Sequence, residues 1–173
     1  MESRGMLHLY TGDGKGKTSA AIGLCVRARG AGLRVLFAQF LKGMETSELI
    51  PLEQLGVVVV REAPSHKFLF QMDEAEQDAY RTAQHESFRA LCERAGDFDL
   101  MVLDEALDAV SCGIIPEAEL LAFIDDRPAG LELVLTGRGP SPALRERADY
   151  HSDLHAVRHP YQQGVTARRG IEY

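Results

Sequence analysis

Short, nearly continuous apolar runs recur along the chain, at residues 6–10, 35–40, 57–60, 100–103 and 131–135. Runs this brief and this unbroken suit strands buried on both faces of a parallel sheet, which need no polar face. Between them lie longer segments of mixed polarity. Residues 19–29 predict a helix ended by Gly30 and Gly32. Residues 47–55 predict a short helix stopped by Gly56, and residues 73–95 a long amphipathic one with Asp73 as its cap and Gly96 at its end. Residues 116–124 and 142–148 predict short helices that begin at prolines, where proline is tolerated. The alternation is βαβα throughout. It predicts an α/β fold, a mostly parallel sheet flanked by helices, with ligands at the carboxyl ends of the strands.

The first strand end carries the strongest motif, Tyr10-Thr11-Gly12-Asp13-Gly14-Lys15-Gly16-Lys17-Thr18-Ser19. Gly12, Gly14 and Gly16 let the backbone curl so that successive N–H groups converge on a polyphosphate. Lys17 supplies a point charge, and the Thr18 hydroxyl is placed to reach a magnesium ion. The helix that follows points its positive end at the same anion. The usual pattern starts with glycine where Thr11 stands, so the loop can hold its nucleotide in an unusual way. A Gly-rich turn that merely caps a helix is the weaker reading, because strand, loop and helix occur in the required order. Together these features predict a P-loop NTPase (RecA-like) architecture in a single domain spanning 1–173.

Other strand ends add to the picture. Leu100-Met101-Val102-Leu103 runs into Asp104-Glu105, and a P-loop protein needs an acidic group here to hold magnesium (or manganese), with Thr18 as a further ligand. Either acid could instead cap the next helix. After the run 131–135 comes Thr136-Gly137-Arg138-Gly139. Here Arg138 either forks onto phosphate oxygens or is a solvated residue in a tight turn. Gln39 and Lys42 either face the nucleotide or form an ordinary polar strand terminus. In His66-Lys67-Phe68-Leu69-Phe70-Gln71, Phe68 and Phe70 share a face if the segment is extended. They would then wall a flat ligand or simply join the core.

Composition narrows the function classes. A chain of 173 residues, 45% hydrophobic and 26% charged, is an ordinary globular protein with a full core. Its net charge of −7, with no clustered Lys/Arg stripe, argues against nucleic-acid binding. Three scattered cysteines suit core filling in a reducing compartment. No apolar leader or membrane-length stretch is present, so a cytoplasmic protein with no membrane partner is expected. None of the six histidines has zinc-like spacing, and no Ser-His-Asp set can be argued.

In sum the motifs resemble the P-loop ATP:corrinoid adenosyltransferases, the cob(I)yrinic acid a,c-diamide adenosyltransferase family of cobalamin synthesis and salvage. The matching stretches are 10–18, 38–43, 67–72, 103–105, 136–139, 148–149 and the tail 158–173. The P-loop combined with Thr136-Gly137-Arg138-Gly139 and a tail ending Gly170-Ile171-Glu172-Tyr173 is highly specific. The resemblance implies that corrinoid Co(I) attacks the 5′ carbon of ATP and releases triphosphate, with the nucleotide reversed so that its γ-phosphate lies in the loop. It implies catalytic roles for Lys17, Glu105 and Arg138, with Glu105 as the foremost metal ligand. It also implies that Phe68 and Phe70 lie under the corrin and displace its lower ligand. A homodimer and a flavodoxin-like or other reductase as electron donor are implied by resemblance alone. The alternatives are a P-loop ATPase or small-molecule kinase, or a nucleotide-dependent regulatory module. Departures include Phe70 where members often carry Trp, a short stretch after Gly43, and unexpected residue types at His151 and Arg168. Little sequence precedes the first strand, so no covering N-terminal helix is expected.

Overall fold

A computed structural model describes residues 4–43, 46–62, 67 and 69–173, the side chain of Phe70 excepted. Six parallel strands form one sheet: β1 (Leu7–Thr11), β2 (Val35–Gln39), β3 (Val58–Val60), β4 (Leu100–Asp104), β5 (Glu132–Thr136) and β6 (Tyr150–Asp153). Their order is β3-β2-β4-β5-β1-β6. The expected mostly parallel sheet is therefore parallel throughout, with β5 inserted between the P-loop strand β1 and the acidic strand β4.

Both faces of the sheet are covered, which explains the unbroken apolar runs. On β2, Val35 and Phe37 join one core while Leu36 and Ala38 join the other; on β4, Leu100 and Val102 alternate likewise with Met101 and Leu103. Helix α1 (Lys17–Gly30) packs over the first face, because Ala21, Cys25 and Ala28 recur at helical spacing along one stripe. Under the opposite face lie α3 (Glu74–Glu93), α4 (Ala106–Ser111) and α5 (Glu117–Asp126), which contribute Phe88, Leu107 and Leu120. The remaining helices are α2 (Leu49–Gln54) and α6 (Pro142–Arg147). Asp73 caps α3 in a full capping box, accepting from Glu76 N while the Glu76 side chain accepts from Asp73 N.

Several expectations are corrected. Strand β6 and helix α4 were not foreseen. β6 is Tyr150-His151-Ser152-Asp153, exposed along its length, so it carries no apolar signal. Helix α1 starts at Lys17, not Ser19, drawing the P-loop lysine into its first turn. Residues 69–71 form one 3-10 turn, so the extended backbone that would align Phe68 and Phe70 is absent there. Phe68 itself lies outside the described residues. Cys25 is buried in one core and half-buried Cys92 packs against the other, as core filling requires, but Cys112 is exposed. Among the described residues, no helix is long and apolar enough to cross a membrane.

Candidate active site

Parallel pairing brings the carboxyl ends of the strands level. Gln39 is in register with Asp104, Tyr10 with Thr136, and Thr11 with Asp153. The loops that follow therefore converge on one edge of the sheet. A cavity of about 580 Å³ opens there, lined by residues 13–19, Lys42, Glu48, Glu105, Arg138, His159 and the tail residues 170–173 among others. That size falls in the range of small-molecule sites.

The P-loop is braced from below as well as from within. Thr11, at the position usually glycine, is buried, and its hydroxyl bonds His151 Nε2 at 2.8 Å and donates to Asp153 Oδ1 at 3.3 Å. The segment after β6 then straps the loop: Leu154 N donates to Thr11 O, and Gly14 N donates to Leu154 O at 2.7 Å. Gly12 has φ +107, and a Cβ there would lie 2.2 Å from the Leu154 carbonyl oxygen. Only glycine tolerates both constraints. Ala156 N donates to Asp13 Oδ1, which holds the Asp13 carboxyl below its ordinary range. Lys17 Nζ folds back onto the loop, donating to the Gly12 and Gly14 carbonyls at 2.7 and 3.0 Å.

Asp104 is the buried hub. Its Oδ1 accepts from Thr18 Oγ1 (2.9 Å) and Thr136 Oγ1 (2.7 Å), and its Oδ2 from Lys42 Nζ (2.8 Å) and Gln39 Nε2 (3.4 Å). The next residue, Glu105, adopts a left-handed backbone with φ 60, held by donation from its N–H to Thr136 Oγ1 at 2.9 Å. This is a strained conformation for a residue with a side chain. It turns the chain so that the Glu105 side chain reaches the cavity while α4 begins at Ala106.

Burial, then the charges of Asp104 and Asp108, push the Glu105 carboxyl up to about 7. An unfolded Glu105 releases its proton near 4.5, the folded one near 7. Between those values the unfolded state binds fewer protons, so stability falls as pH rises through that window and levels off above it. Glu105→Gln should flatten this part of a urea-unfolding profile measured against pH without nucleotide. An unaltered slope in the variant would assign it to another group.

The structure brings together Asp13, Gly14, Lys15, Gly16, Lys17, Thr18, Ser19, Lys42, Glu105 and Arg138 on the cavity wall. Thr11, Gly12, Gln39 and Asp104 are not among the lining residues. They lie beneath it and hold the loops that are. Gln39 is buried and donates to Glu48 Oε1 at 2.9 Å. Sequence reasoning missed Glu48, Asp108 and Asp153, marked His151 only as a departure, and gave no role to the tail. Lys15 Nζ bonds Glu172 Oε1 at 2.9 Å, and Arg168 and Lys15 hold that carboxyl well below the usual range. Ser47 Oγ donates to the Tyr173 carbonyl, so the tail spans the cavity rim. Among the described residues, no three His, Cys, Asp or Glu side chains form a cage that could hold a metal alone.

Strand, loop, helix and buried aspartate in this order define a P-loop α/β protein. A fold comparison agrees: EssC (ATPases 2 and 3) from Geobacillus thermodenitrificans superimposes with a TM-score of 0.53 at 16% identity, over 97% of this chain and 36% of that one. The family model for ATP:corrinoid adenosyltransferases BtuR/CobO/CobP matches residues 3–173. The corrinoid adenosyltransferase of Pseudomonas aeruginosa is 32% identical over 173 residues, covering 99% of this chain and 85% of the relative. Corrinoid adenosyltransferase CobA of Salmonella typhimurium is 35% identical over 173 residues, covering 99% and 87%. The chain belongs to the ATP:corrinoid adenosyltransferase family.

Proposed function

We propose that this chain, as one domain, transfers the 5′-deoxyadenosyl group of ATP to the Co(I) of a corrinoid and releases triphosphate. The observation that carries this reading, beside family membership, is the cavity where Lys17, Arg138, Glu105 and the start of α1 meet. The Co(I) electron pair forms the Co–C bond, the C5′–O bond breaks, and triphosphate leaves with the electron pair of that C5′–O bond. What the protein must supply is stabilisation of charge on the leaving group. Lys17 exchanges its Gly12 and Gly14 carbonyls for phosphate oxygens, and Arg138 approaches from the β5 side. Gly14 N–H is engaged by Leu154 O, so the phosphate cradle falls to amides further along, at the start of α1. This fits a nucleotide held in the reversed sense.

The oxygen donors Thr18, Asp104 and Glu105 suit a hard divalent cation, and the carboxylates of Asp104, Glu105 and Asp108 beside Lys42 leave negative charge for it to balance. Magnesium (or manganese) held by them supplies charge neutralisation on the triphosphate. Phe68 and Phe70 as the corrin-facing pair, a homodimer, a flavodoxin-like or other reductase, and a cytoplasmic location rest on resemblance and composition.

The test is a single incubation of protein, MgATP and chemically reduced corrinoid. The expected products are the Co–C adduct and inorganic triphosphate. ADP without adduct would return the protein to the ATPase or kinase reading.

A further inference from the structure

Arg138 stands between two glycines of positive φ, Gly137 at +140 and Gly139 at +55. Such a backbone is intrinsically loose, yet its side chain lines the cavity. Two bonds fix the turn. Gly137 N donates to Tyr10 O at 3.2 Å, and Arg138 N donates to Asp108 Oδ2 at 2.9 Å. Asp108 lies in α4, within a turn of Asp104 and Glu105, and is half-buried beneath the turn. The packing is close: a Cβ on Gly137 would lie 2.5 Å from Asp108 Oδ2, 2.7 Å from Leu107 Cβ and 3.0 Å from Asp108 N. The Asp108 charge also bears on the neighbouring Glu105 carboxyl, helping to push it up. Asp108 is not among the residues that line the cavity, so it acts through those that do.

We infer that Asp108 is a positioning residue of the transfer reaction, pinning the Arg138 backbone so that the guanidinium meets the leaving triphosphate. This rests on the adenosyl-transfer reading and extends it to a residue that touches neither substrate. A carboxylate suits the task. It is a charged acceptor for a backbone N–H, and its place on a helix gives it a rigid base.

The experiment is steady-state kinetics with pre-reduced corrinoid, with thermal melts alongside. Asp108→Ala should lower kcat about tenfold while KM for MgATP stays within about twofold, the signature of an interaction made mainly in the transition state. Asp108→Asn keeps an oxygen able to accept from Arg138 N and should recover most of the rate. Asp108→Ser cannot reach that N–H and should reproduce the loss, which keeps the test alive if the alanine variant does not fold. In an Arg138→Ala background, removing the Asp108 carboxyl should change kcat by less than about twofold, because the two act as one unit. Equal losses in both backgrounds, or an asparagine variant as slow as serine, would overturn the positioning role while leaving adenosyl transfer intact. Absence of the Co–C product from the unaltered protein would remove the functional reading and this inference together.

Discussion

Lys17→Ala is expected to abolish most turnover and leave the fold in place. Lys17 Nζ donates to two carbonyls of its own loop, Gly12 and Gly14. Those carbonyls belong to a partly exposed loop that water can solvate, so the stability change should stay under about 1 kcal/mol. Loss of a charged donor aimed at a leaving group is another matter. Removing one preorganised donor from such a site costs on the order of 100- to 1,000-fold in kcat. The prediction is therefore a split: a urea midpoint near that of the unaltered protein, with kcat/KM for ATP down about a hundredfold or more. Lys17→Arg should not rescue it, because a planar fork does not replace a compact ammonium. Near-normal kinetics would remove the loop lysine from the mechanism.

Asp104→Ala should fail in both respects. Asp104 is fully buried and receives Thr18, Thr136, Lys42 and Gln39. Removing it strands two hydroxyls and an ammonium that is itself largely buried. Breaking a buried ion pair from one side costs ~3–5 kcal/mol, and the residual exposure of Lys42 places this case near ~3 kcal/mol. Urea unfolding reads that loss directly, and the same variant should lack detectable adenosyl transfer. Asp104→Asn preserves an acceptor for the threonines but turns an amide toward Lys42, so it should recover stability partly and activity little. A midpoint shift below ~1 kcal/mol would mean the surrounding groups find other partners.

The contrast between the two residues reflects what a motif can and cannot convey. The phosphate loop, the acidic strand end and Arg138 were legible because each needs particular residue types next to an apolar run. The core strands were legible because burial on both faces leaves an unbroken apolar signature. Strand β6 left none: it is polar, exposed and held by pairing with β1. Its contribution to the site, through His151, Asp153 and Leu154, depends on contacts across some 140 residues of sequence. Helix α4 is only six residues long, too short for a period to appear, and so Asp108 was passed over. Thr11 was legible as a departure but not in its use, which is to bond β6. The aromatic pair was legible only as a resemblance, since its shared face required an extended backbone that a 3-10 turn replaces at 69–71.

The strand order has a consequence for how the protein is made. Strand β1 and its loop precede the other strands of the sheet in the chain. Yet β1 pairs only with β5 and β6, and Leu7 waits for Leu133 before it has a neighbour. Meanwhile β2, β3 and β4 can associate with one another as soon as they emerge. The nascent chain thus carries an unpaired strand until β5 has been made, and such strands are exposed to wrong partners. The phosphate loop is therefore strapped only once residues 150–156, which follow β1 to β5 in the chain, have been made and close on it.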